Sequence, residues 1–247
     1  MQAFAFGCLL AYVLVSAVIS TRLLLRWRRN REAPELLLGL GLLCSVSIGY
    51  PLIVWGSSLP ETGAAASRAG MLAFQVGVGL YAHFNARVFR PGETWAKVLA
   101  SVCTHIFAVV FVVVVTLPAA LDTPEAMAQH LFPFGVLNQV TLLVICAWTG
   151  FEGLRYHLML RRRLAVGMAE PLLVDRFRLF GILGCLQTST MVVGLAVMLS
   201  GENVATHNLV ILWSSLQGLL SSVLTVLIFM PPTWYVGRFA GATPQHA

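Results

Sequence analysis

Long apolar stretches alternate with short polar breaks along the whole chain. A helix crossing the ~30 Å hydrocarbon core of a bilayer needs about 20 mostly apolar residues at about 1.5 Å rise each. Seven stretches meet that length: 3–25, 35–58, 69–90, 95–118, 131–157, 178–200 and 208–230. The pattern predicts an all-α, polytopic membrane protein with seven transmembrane helices in a single domain over 1–247. The first stretch has no basic segment before it and no small-residue cleavage site after it. It runs straight into Arg26, Arg28, Arg29 and Arg31, the pattern of a retained anchor.

The breaks carry helix-boundary chemistry. Pro34 and Glu35 suit the opening turn of the second helix, and Pro171 can open the sixth well before it reaches the membrane. Pro91-Gly92 reads as a tight turn, Thr123-Pro124-Glu125 as a capped short helix before the fifth stretch, and Pro231-Pro232 as the stop of the seventh. The fifth helix can continue from Arg155 to Arg163. With the early start at Pro171 this predicts a helical hairpin projecting beyond the bilayer, suited to a cytoplasmic protein partner or to lipid headgroups.

Composition agrees with the periodicity. The chain is 58% hydrophobic and 11% charged, with a mean hydropathy of +0.82, whereas soluble domains carry about a quarter charged residues. That excludes a soluble enzyme, a disordered chain, a collagen and a disulfide scaffold. Sixteen basic residues face ten acidic ones. Under the positive-inside rule, all sixteen except Arg68 fall on one side of a seven-span topology, which places the N-terminus outside and the C-terminus in the cytoplasm. The basic excess then reads as topology and contact with anionic lipid rather than nucleic-acid binding.

Other chemistry is thin. Cys8, Cys44, Cys103, Cys146 and Cys185 all fall within the spans without a CxxC pair, as apolar packing residues do. No carboxylate is expected at mid-membrane, which argues against an ion-coupled pump. The single lysine, Lys97, opens the fourth helix, so the last helix has no lysine for a retinal Schiff base. No nucleophile motif, phosphate loop, HExxH or dense ligand cluster is present, so neither catalysis nor a metal or other cofactor is expected.

What remains is a set of polar residues at helical spacing. Gln75, Gly79, His83 and Arg87 follow one another at i+4 steps, as do Lys97, Ser101 and His105. Asn138, Gln187 and Gln217 add amides on three further helices. An unpaired amide or imidazole is costly in hydrocarbon, so these stripes are expected to face inward. At about 1.5 Å per residue, His105, Gln187 and Gln217 reach mid-membrane depth. The expectation is a ligand cavity of Gln75, His83, His105, Asn138, Gln187 and Gln217 walled by Trp148 and Trp213. His83, Arg87 and Glu152 close it below, the last two within a cytoplasmic-side polar cluster of Arg87, Glu152, Arg155 and Tyr156. The competing expectation is interhelical glue, since such residues bond across membrane helices for about 0.6 kcal/mol each. Small residues in register (Gly41, Ser45 and Gly49; Gly184 and Thr188; Gly218 and Ser222) point that way.

Seven helices with an outside N-terminus resemble the opsin and G-protein-coupled-receptor architecture, and also the three-plus-one-plus-three sugar facilitators. Arg28-Arg29 ahead of Ala33-Pro34-Glu35-Leu36 and Arg161-Arg162-Arg163 ahead of Ala169-Glu170-Pro171-Leu172 echo each other as a three-helix duplication would. Receptor motifs match only in part: Asn85-Ala86-Arg87 stands in place of an acidic-Arg-aromatic triplet, and Pro232-Thr233-Trp234-Tyr235 in place of Asn-Pro-x-x-Tyr. The segments RWRRNREAPELLLGLGLL and RRRLAVGMAEPLLVDRFRLFG are similar to those of uncharacterised bacterial seven-helix membrane proteins. The resemblance implies a bacterial inner membrane and brings no activity with it. The expected function is a receptor- or sensor-type protein that binds a small molecule or a lipid in the membrane. A facilitator for a small neutral solute and a structural subunit of a membrane complex are the alternatives.

Overall fold

A computed structural model describes residues 2–57, 63–116, 124–204 and 207–240, and the described residues form helices and turns without a strand. Six helical stretches are long and apolar enough to cross a membrane: Ala3–Asn30, Ala33–Gly56, Thr94–Thr116, His130–Ala165, Pro171–Leu199 and Asn208–Phe229. The chain is an integral membrane protein. Its elements are α1 (Gln2–Asn30), α2 (Ala33–Leu42), a π-helical segment (Leu43–Gly49), α3 (Tyr50–Ser57), α4 (Gly63–Phe89), α5 (Thr94–Thr116), α6 (Pro124–Ala165), α7 (Pro171–Leu199), α8 (Asn208–Phe229) and α9 (Thr233–Ala240).

Most boundaries follow the predicted signals. Pro34 and Glu35 sit in the first turn of α2, and Glu35 pairs with Arg26 at 2.8 Å. Gly92 takes φ +92° in the turn before α5. Pro171 opens α7, and α6 runs on to Ala165. Three local features depart from the expectation. The helix at Pro124 is not a separate short element but the start of the 42-residue α6, and Thr123 lies outside the described residues. A further short helix, α9, follows Pro231-Pro232. The second predicted span is interrupted by the π segment, whose register shift is visible where the Tyr50 N–H bonds to the Ser45 carbonyl five residues back. Pro51 supplies the reason: its ring cannot donate and would crowd the carbonyl four residues earlier, and a wider turn relieves both.

The chain divides into two compact units, Ser16–Leu142 with Met198–Ser200, and Met1–Val15 with Leu143–Val197 and Gly201–Ala247. In the first, α4 packs against α2, the π segment, α3 and α5. Glycine makes that approach close. A Cβ on Gly49 would lie 2.6 Å from the Phe74 nitrogen, one on Gly70 2.7 Å from the Ile53 nitrogen, and one on Gly77 2.6 Å from the Gly41 carbonyl oxygen. α4 is 27 residues long, about 40 Å at 1.5 Å per residue. It is the one predicted span missing from the six apolar ones. Gln75, His83, Asn85 and Arg87 lower its hydropathy, and Gln75 and Asn85 are buried, as suits a helix clothed by protein.

In the second unit, α6 and α7 meet the same way. A Cβ on Gly153 would lie 2.7 Å from the Gly181 backbone, and Gly150 faces Gly184. The five cysteines are all free.

Candidate functional site

On α4, residues 75, 79 and 83 share one face because they are four apart. Gly79 admits Thr104 of α5, whose side chain would stand 3.3 Å from a Cβ there. The Thr104 hydroxyl donates to the Ala100 carbonyl at 2.9 Å. Its one hydrogen is committed, so in the 3.4 Å contact with His83 the ring Nε2 is the donor. Gln75, one turn beyond Gly79, is 4% exposed, and neither its Oε1 nor its Nε2 has a hydrogen-bond partner among the described residues. Asn138 of α6 belongs to the same unit, and its buried Oδ1 also lacks a partner there.

His105 lies elsewhere. The stripe Lys97, Ser101, His105 does not face inward: Lys97 and His105 are exposed, while α5 buries Ala96, Ala100, Cys103, Phe107 and Val110. The His105 Nδ1 donates to the Ser101 carbonyl at 2.7 Å. Together with Val98, Val102, Ile106, Val109 and Leu137, this stripe lines an open groove of about 590 Å³. Gln187, Gln217, Trp148 and Trp213 belong to the other unit. There Gln217 donates to Ser221 on its own helix at 2.9 Å, Gln187 is half-buried, Trp148 is buried and Trp213 is exposed.

Of the expected cytoplasmic-side cluster, Glu152 and Arg155 pair at 3.2 Å, with the carboxylate 1% exposed and the guanidinium half in the open. Tyr156 stacks on Phe177 of α7, ring centres 5.4 Å apart. Arg87 is an exposed residue of α4, in the other unit. The structure adds groups that the periodicity did not single out. The His157 Nδ1 donates to the Val174 carbonyl at 3.0 Å. Asp175 is buried, pairs with Arg178 and accepts a hydrogen bond from the Tyr235 hydroxyl, which docks α9 on α7. The i,i+3 spacing of Asp175 and Arg178 was a readable signal for the ion pair. Tyr235 stands sixty positions away, and no local pattern links it to Asp175. Among the described residues no three His, Cys, Asp or Glu side chains gather as a metal site would need.

Burial, and then the bond to Asp175, push the Tyr235 phenol up to about 12 from its ordinary 10. An undocked tyrosine ionises near 10, so the docking contribution is complete below that pH and is lost as the pH rises to about 12. Exposed Trp234, whose ring lies 5.7 Å from that of Tyr235, should report the release as a fluorescence change in that interval. Tyr235→Phe should lack the transition. Its persistence in that variant would remove Tyr235 as the cause.

No protein-family model, curated protein or solved structure matches this chain.

Proposed function

We propose that this chain is a receptor- or sensor-type protein of seven transmembrane helices that binds a small polar molecule or a lipid within the membrane, in a bacterial inner membrane, with its C-terminus in the cytoplasm. Charge parity supports counting α4 as the seventh span. Were α4 not to cross, Arg22–Arg31 and Arg155–Arg178 would lie on opposite faces, against the positive-inside rule. With it, every basic residue except Arg68 falls on one side.

The observation that carries ligand binding is the Gln75 amide. Burying an amide without a partner costs about 2–7 kcal/mol depending on the reference. A group with two orphaned atoms at 4% exposure is therefore a site awaiting a molecule with both a donor and an acceptor. The His83–Thr104 pair stands two turns along the same helix face. On the cytoplasmic side, the α6–α7 hairpin exposes Arg161, Arg162, Arg163, Val166 and Met168. That mixture of cations and apolar tips suits a protein partner or a lipid surface.

Gln75→Leu tests the reading. It removes an unsatisfied amide at similar volume, so the empty protein is expected to melt at the same or a higher temperature. A small molecule retained by wild type through mild detergent, observed by native mass spectrometry, is expected to be lost. Retention of that molecule by the variant would end this assignment and leave Gln75 a packing residue. The facilitator reading draws on the same column, because Gln75, His83 and Arg87 are spaced along much of α4. Solute flux in vesicles that Gln75→Leu abolishes would favour it over a sensor.

A further inference from the structure

α5 carries Lys97 and His105 among exposed valines on its outward side. Its buried stripe is Ala96, Ala100, Cys103, Phe107 and Val110, whereas Lys97, Ser101 and His105 stand along the open groove. Many span hydroxyls are satisfied within their own helices, although those of Ser16 and Ser47 are not: those of Ser20, Ser45, Thr141, Thr149 and Thr225 each donate to the carbonyl four residues earlier. Ser101 makes no such bond, and among the described residues its hydroxyl has no partner; its carbonyl is taken by His105. The groove thus offers an ammonium at one end and a free hydroxyl one turn along. Apolar walls of Val98, Val102, Ile106, Val109 and Leu137 complete it.

Its dimensions are those of one leaflet. From Lys97 to Val109 the helix rises about 18 Å, against about 15 Å for half of a hydrocarbon core. The level of Lys97 is marked independently. Trp95 is 47% exposed, and the Arg90 guanidinium sits over its ring at 5.5 Å, an arrangement typical of the headgroup interface. A lysine at that depth meets phosphate and one turn deeper a hydroxyl meets the acyl-ester carbonyls; below that the lining is apolar apart from His105, whose Nδ1 is spent on the Ser101 carbonyl. We propose that this groove holds one anionic phospholipid, its phosphate on Lys97, its ester region at Ser101 and an acyl chain along Val98, Val102, Ile106 and Val109. The site rests on α5 being a membrane span, and is separate from the Gln75 amide on which the functional reading depends.

The test is native mass spectrometry of the full chain titrated with phosphatidylglycerol and with phosphatidylcholine of identical chains. Wild type is expected to retain one phosphatidylglycerol in preference to phosphatidylcholine. One lysine at the membrane surface corresponds to about a fivefold preference, which Lys97→Gln should erase and Lys97→Arg should keep. Val102→Trp, at a position already 48% exposed, fills the groove without disturbing the core and should remove both lipids. Inorganic phosphate, which has the charge without the chains, should not displace the lipid. Equal retention of the two lipids, displacement by phosphate, or an unchanged preference in Lys97→Gln overturns the proposal. Gln75→Leu is expected to bind phosphatidylglycerol as wild type does, so failure of the lipid site and failure of the ligand site are told apart.

Discussion

Replacing Gly184 with leucine is expected to separate α6 from α7 and to lower the melting temperature of the detergent-solubilised protein more than any exposed substitution. A Cβ at Gly184 would overlap the Gly150 nitrogen, lie 2.6 Å from the Gly150 Cα and stand 3.0 Å from the Thr149 carbonyl carbon. These are backbone atoms of a helix, so no side chain can swing aside and the helix axes themselves must move. Association between membrane helices rests on van der Waals fit, because lipid is as apolar as leucine and no hydrophobic gain compensates a gap. Overpacking costs about 1–3 kcal/mol in cores that can adjust, and a backbone-to-backbone contact belongs at or above the top of that range. Gly7→Leu is the control, with nothing within 4 Å of its Cβ position. Equal melting of Gly184→Leu and wild type would show that α6 and α7 do not cross at these glycines.

The second large effect is asymmetric. Removing Arg155 should destabilise the protein more than removing the carboxylate it pairs with. Glu152 is 1% exposed and Arg155 50% exposed, at 3.2 Å. Without Glu152, the guanidinium can turn to water or phosphate. Without Arg155, a buried carboxylate loses a compensating charge, a situation that costs about 3–5 kcal/mol when a buried pair is broken. Arg155→Leu is therefore expected to melt well below Glu152→Gln, and the double variant Glu152→Gln, Arg155→Leu to recover most of the loss. A double variant no more stable than Arg155→Leu alone would show that the pair carries no such energy.

The candidate site was legible unevenly, for reasons that differ from residue to residue. The i+4 spacing of Gln75, Gly79 and His83 put them on one face because helix geometry allows nothing else, and Thr104 meets that face at Gly79. The same spacing for Lys97, Ser101 and His105 pointed inward by the rule that polar groups avoid lipid, yet Lys97 and His105 are exposed and Ser101 half-buried. Periodicity says which residues share a face but not which way the face turns. A lysine at the interface and a histidine bonded to its own helix weaken the rule that would have decided it. Small residues such as Gly41, Ser45 and Gly49 were visible as a packing stripe, while the π segment they run through depended on Pro51, whose consequence is a register shift that no hydropathy count reveals.

From the sequence alone came the membrane, the helical class and the proline and glycine signals at several helix ends. Each of these is a property of a short stretch of chain: twenty apolar residues satisfy a bilayer, a proline or glycine ends a helix, and arginines stay with the phosphates. The tertiary structure alone decided which glycines let backbones touch, that Gln75 is buried with its amide unmatched among the described residues, and that Tyr235 closes on Asp175 to dock α9. These depend on which atoms of a distant helix arrive at a given face. That arrival is fixed by the joint packing of all the helices, which no stretch of sequence specifies by itself.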